Sequence, residues 1–185
     1  MQSTKLLDEK GNWRDSIWYN RPGIGLSEKG TAYLEEVFRW AHQADPQAQL
    51  LYNDAEGEGV NVRSDAICSL DQRFRARECS HRRRGVQMHV PMLDADMPAI
   101  AANIARLTAL GVQVQITKLD VSLPVNSSGR SEPGDSARQA NIYRGIVRAC
   151  PNSSGCTAIQ SWGVSDKRSW IGSHSRGARG EALPF

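Results

Sequence analysis

Two hydrophobic periods alternate along this chain, one of about 3.6 residues and one of short unbroken apolar runs. From Thr31 to His42, Leu34, Val37, Phe38 and Ala41 fall on one helical face, Glu35, Glu36 and Arg39 fall elsewhere, and Pro46 follows the end. Gln49 to Asp54 then reads as a buried strand ending in polar residues. Ser64-Asp65-Ala66-Ile67 opens a second helix with Ser64 in the capping place. Val86 to Val90 is the next strand. The clearest helix starts at Pro98, carries Ile100, Ile104, Leu107 and Leu110 in phase, and stops at Gly111. Val112 to Thr117 is a third strand, Pro124 to Asp135 a loop rich in Ser, Gly and Pro, and Ser136 to Ala149 a helix with Ile142, Ile146 and Ala149 on one side. Thr157 to Trp162 is the fourth strand.

Strands separated by helices, with no hairpin signal between consecutive strands, predict parallel βαβ units and an α/β fold. A doubly wound sheet and a (β/α)8 barrel both satisfy the alternation, but no Gly-rich phosphate loop follows any strand, which weakens the nucleotide-binding version. Polar residues collect instead at strand C-termini: Asn53 and Asp54, Gln87 and His89, Lys118 and Asp120, Trp162 and Asp166. In a barrel all those ends open onto one face, where sites are built. Four strands are half of a closed barrel, so the pattern also predicts two unpaired strand edges that water or a partner must satisfy.

Composition narrows the classes. The 185 residues, 39% apolar and 23% charged, suit one globular domain, 1–185. No apolar run approaches the roughly 20 residues of a bilayer span, and Met1-Gln2-Ser3-Thr4-Lys5 leads into no signal-peptide stretch, so no membrane partner is expected. The formal charge of +3 has a local source: six arginines lie between Asp71 and Arg84 (Arg73, Arg75, Arg77, Arg82, Arg83, Arg84), and the remainder holds 17 basic and 18 acidic residues. A basic module binding nucleic acid would rest on that stretch alone, where only Phe74 is interleaved to stack on bases; a solvated basic helix end is the favoured reading, and no nucleic-acid partner is expected. No Cys or His spacing resembles a zinc site, and no cofactor is expected.

Tyr52-Asn53-Asp54, Gly85-Val86-Gln87-Met88-His89, Val114 to Val121 and Trp162 to Trp170 closely resemble, in order and spacing, the C-terminal half of glycoside hydrolase family 10, the endo-β-1,4-xylanases. Arg14 to Tyr19 and Phe38 to Ala41 look like that family's segments between its fourth and fifth strands. The resemblance implies a partial (β/α)8 barrel, with the four strands here as the fifth to eighth, xylan or xylo-oligosaccharide as partner, cleavage inside the chain with retention, and an extracellular location. It also implies a missing N-terminal half-barrel as a further partner.

Retaining chemistry needs an acid/base and a nucleophilic carboxylate about 5 to 5.5 Å apart. The resemblance puts the nucleophile at Lys118, where the family carries Glu. An ammonium cannot form the glycosyl ester and repels the charge of an oxocarbenium-like transition state. Counting back places Thr4-Lys5 at the family's acid/base, so that group is either lost with the first half or is Lys5. The chain is therefore expected not to hydrolyse xylan, leaving a non-catalytic carbohydrate-binding remnant as the alternative. By the same resemblance His89 orients the nucleophile, and Trp162 and Trp170 are sugar platforms whose N–H groups can reach a hydroxyl. Asn53 and Gln87 offer amides to sugar hydroxyls. Asp120 is a structural neighbour of position 118 and available to pair with Lys118, Glu56 and Glu58 read as a solvated loop, and Cys150–Cys156 matches a disulfide of many family members. The arginine-rich segment departs from the family's apolar helix, as a compensated frameshift would; its expected consequences are a poorly packed helix and an exposed Cys79.

Overall fold

The structure, a computed structural model, describes residues 6–16, 18–20, 32–77 and 83–184. Helix α1 (Ala32–Ala44) buries Tyr33, Leu34, Glu35 and Phe38. The stripe is rotated from the expected one, because Val37 is 49% exposed while Glu35 is 3% exposed. Cations make that burial tolerable: Arg77 donates to Glu35 at 2.9 Å and Arg39 lies 3.9 Å from it.

Strand β1 (Leu51–Ala55) leads into helix α2 (Val62–Ala76), whose cap is Asn61 rather than Ser64. Asn61 Oδ1 accepts from the Ser64 amide at 2.8 Å, and Ser64 Oγ accepts from the Asn61 amide at 2.8 Å, a reciprocal capping pair with Ser64 in the first turn.

The expectations for the arginine-rich run fail at two points. Helix α2 is well packed: Ile67, Cys68, Leu70 and Phe74 are buried, and Phe74 meets the Phe38 ring edge-on at 5.6 Å. Arg84 is no part of a solvated helix end, for it lies in strand β2 (Arg83–Gln87) and is 1% exposed. It donates to both oxygens of buried Asp71, at 2.7 and 3.2 Å, and its guanidinium lies 4.0 Å over the Tyr52 ring. Burial pushes the Asp71 carboxyl above its ordinary range, with the Arg84 charge pulling the other way. Arg73, Arg75 and Arg77 are exposed. Cys79 and Arg82 lie outside the described residues, as does Lys5.

The run read as one strand at Val86 to Val90 is broken at Met88 into β2 and β3 (His89–Pro91). Both run parallel to β4 (Gln113–Pro124), which continues seven residues beyond its expected end at Thr117. Helices α3 (Met97–Ala109) and α4 (Asp135–Ala149) pack on each other and on β4. Asp96 caps α3 by accepting from the Ala99 amide at 3.0 Å, and Gly111 ends the turn after it with φ 73°. A disulfide joins Cys150 at the end of α4 to Cys156 at the start of β5 (Cys156–Ser161). Beyond come a short helix α5 (Ile171–His174) and β6 (Arg179–Gly180), antiparallel to β4.

In space the order is β1, then β2 with β3, then β4, then β5, all parallel. Alternation sorts the strands into two faces. Tyr52, Arg84 and Val114 stand in register on a buried helix side; Asn53, Gly85, Gln115 and Ala158 stand in register on the other. Among the described residues β1 pairs only with β2, and β5 only with β4 and not with β1, so the sheet is open at both lateral edges.

Candidate active site

One irregularity of β4 builds the site. Ile116 and Leu119 lie opposite Ile159 and Ser161, so three steps along β4 match two along β5; on the other side, Ile116 and Asp120 lie opposite Val86 and His89. The extra residue is a β-bulge, which breaks strict alternation and re-aims side chains. Thr117 donates to Asn53 Oδ1 at 2.8 Å, while Lys118 reaches the neighbouring cleft with its ammonium 4.4 Å from the Trp162 ring centroid. The Trp162 amide donates to Leu119 O at 3.0 Å, fixing that indole beside the bulge.

Past the bulge, His89 and Asp120 are direct cross-strand partners. His89 Nδ1 lies 2.7 Å from Asp120 Oδ2. Because a carboxylate accepts, Nδ1 carries the proton and Nε2 is the nitrogen available to a ligand. Trp170 Nε1 donates to the same Oδ2 at 3.1 Å, and the Trp170 ring stands edge-on to His89 at 4.7 Å. Asp120 is 1% exposed, and its Oδ1 is buried with no hydrogen-bond partner among the described residues.

This geometry corrects two expectations. Asp120 does not pair with Lys118, because register hands it to His89 while the bulge carries Lys118 toward Trp162. Trp170 spends its N–H on Asp120 and has none for a sugar hydroxyl; its indole braces the His89–Asp120 pair.

Gln87, His89, Lys118, Trp162 and Trp170 all line one cleft of about 1130 Å³. Asn53 is not part of its wall. Its side chain is committed to Thr117 across Gly85, where an added Cβ would come within 2.7 Å of Asn53 Oδ1; Ala55 takes its place in the cleft. Glu56 and Glu58 also line the cleft; as expected they stand in the loop after β1, where Glu56 is exposed and pairs with buried Arg63. Arg14, His174 and Arg179 line it as well, and sequence spacing alone had no signal for them, since three separate segments bring them in. Among the described residues no group of three His, Cys, Asp or Glu side chains is placed to hold a metal ion.

The back of the site is held from α4. The Tyr143 hydroxyl donates to Ala182 O at 2.6 Å and accepts from the Val121 amide at 3.2 Å. Burial pushes that phenol up to about 12. Asp166 accepts from the Ala182 and Leu183 amides at 2.7 and 3.0 Å, tying the turn after Trp162 to the C-terminal segment.

Residues 4–185 match the profile of Glycosyl hydrolase family 10. The chain is 32% identical over 181 residues to endo-1,4-beta-xylanase B of Thermotoga neapolitana, covering 98% of this chain and 49% of that protein. It is 30% identical over 168 residues to exoglucanase XynX of Acetivibrio thermocellus, covering 90% of this chain and 14% of that one. In space it is similar to native xylanase 10B of Thermotoga maritima, with a TM-score of 0.86 and 31% identity over 98% of this chain and 52% of that one. A similar TM-score, 0.85, relates it to xylanase 10B of Thermotoga petrophila RKU-1 in complex with xylobiose. The chain spans about half the length, or less, of the curated relatives it matches.

Proposed function

Since the chain belongs to glycosyl hydrolase family 10, we propose that residues 1–185 form a partial endo-1,4-beta-xylanase domain, the last four βα units of the barrel, that takes xylo-oligosaccharide in the cleft without hydrolysing it. One observation carries this reading: the cleft presents the ammonium of Lys118, over the Trp162 ring, at the position where the family carries its nucleophilic Glu. A retaining mechanism needs a carboxylate there to form the glycosyl ester and to offset positive charge at the anomeric carbon. Trp162, 44% exposed, offers an indole face to a pyranose, with His89 in the same wall for a hydroxyl. Support for a saccharide comes from relatives such as the xylanase solved with xylobiose. The single-sided edges of β1 and β5 fit a complementary half-barrel as partner, and the Cys150–Cys156 bond suits an extracellular location.

Calorimetric titration of the purified chain with xylotriose tests the reading. Saturable binding is expected, with xylotriose recovered intact, and Trp162→Ala weakens it about tenfold, the loss of one stacking contact. No saturable binding would overturn it.

A further inference from the structure

Lys118 also bears on which saccharide the cleft prefers. Its ammonium lies 4.4 Å from the Trp162 ring centroid, and among the described residues it has no carboxylate within ion-pair distance. The nearest carboxylate along its own strand is Asp120, whose Oδ2 is taken by His89 and Trp170. The cleft wall carries four carboxylates, Glu56, Glu58, Asp94 and Asp96; Glu56 is held by Arg63, Asp96 caps α3, and none of the four forms an ion pair with Lys118. Arg14 and Arg179 add positive charge to the same wall.

A half-buried cation whose partner is a ring quadrupole is under-compensated. A neutral pyranose stacking on Trp162 has to push the ammonium off that face and gives it no counter-charge in return. A saccharide with a carboxylate beside its stacking face supplies one, exchanging a cation–π contact for a charge-assisted hydrogen bond while freeing the indole. We infer that the cleft selects uronic-acid-bearing saccharides over neutral ones, with Lys118 as the counter-ion and Trp162 as the platform. The inference rests on the saccharide reading above and narrows its ligand class.

The test compares three probes on the full chain at low ionic strength: xylotriose, xylotriose carrying a glucuronic acid branch, and trigalacturonate. At least one anionic probe binds about tenfold tighter than xylotriose, the preference shrinks as salt screens the pair, and both Lys118→Met and Lys118→Gln abolish it. Which anionic probe gains tells whether the carboxylate sits on a branch or in the main chain. Equal affinities in the unmodified chain overturn the inference while leaving xylotriose binding standing, as does a preference that survives in a folded variant. If none of the probes binds, the saccharide reading falls and this inference with it. The salt dependence is read on the unmodified chain, so the test holds even if a variant misfolds.

Discussion

The helix side of the sheet and its cleft side solve opposite problems with the same strands. On the helix side Tyr52, Arg84 and Val114 stand in one row, all nearly inaccessible, and the one charge among them is matched by Asp71 and lies over the Tyr52 ring. On the cleft side Asn53, Gln115 and Ala158 are half-buried around Gly85, and β5 carries exposed Thr157, Gln160 and Ser161. A parallel strand normally has both faces covered. The difference teaches that this chain is held together from behind: burial against α2, α3 and α4 fixes the strands, while Lys118 and Trp162 ride on strand ends left partly open at the front.

The sharpest way to break that contrast lies on the helix side. Asp71→Ala or Arg84→Leu alone strands a buried charge and is expected to cost about 3 to 5 kcal/mol in urea unfolding, whereas replacing both with apolar residues of similar size restores most of it. Removing the Cys150–Cys156 bond by a double Ser substitution opens a loop of sequence separation 6 and is expected to lower stability by about 2 kcal/mol, read as a lower midpoint. Tyr143→Phe deletes the hydroxyl that joins Val121 to Ala182 and is expected to cost about 1 to 2 kcal/mol.

The same phenols set an alkaline limit. Burial raises Tyr143 and Tyr33 from 10.0 to about 12, so the folded state keeps protons that the unfolded state releases. Their contribution is full below pH 10.0 and is lost as pH rises toward about 12. Thermal midpoints should fall across that window, and less steeply in Tyr143→Phe. On the cleft side the expected effect is smallest: Lys118→Met changes stability by no more than about 0.5 kcal/mol, because a half-buried cation without an ion pair contributes little. A larger loss would mean that the cleft side does share in holding the fold.

Much of the fold was legible because periodicity and punctuation act locally. Pro98 and Gly111 bracket α3, and the alternation of strands and helices gives the parallel order. What escaped depends on contacts between elements. Arg84 looks like its exposed neighbours in a charge run, and only the packing of α2 on β2 brings Asp71 to it. Asn61 took the cap from Ser64 because both residues can fill it and the turn geometry chooses. The bulge in β4 carries no Gly or Pro to announce it, yet it separates Lys118 from Asp120. Of the candidate site residues, Gln87, His89, Lys118 and Trp162 were legible from strand ends and Trp170 only from the family resemblance, and the five line one cleft. Asn53 was misplaced because strand position alone does not say which layer a side chain fills.

The central claim is that a cation at position 118 removes hydrolysis while the cleft around it persists. Incubating the purified chain with xylan and measuring reducing sugar against a heat-killed control tests it most directly. No release above that control is expected; sustained release by the unmodified chain would contradict a cation-silenced site.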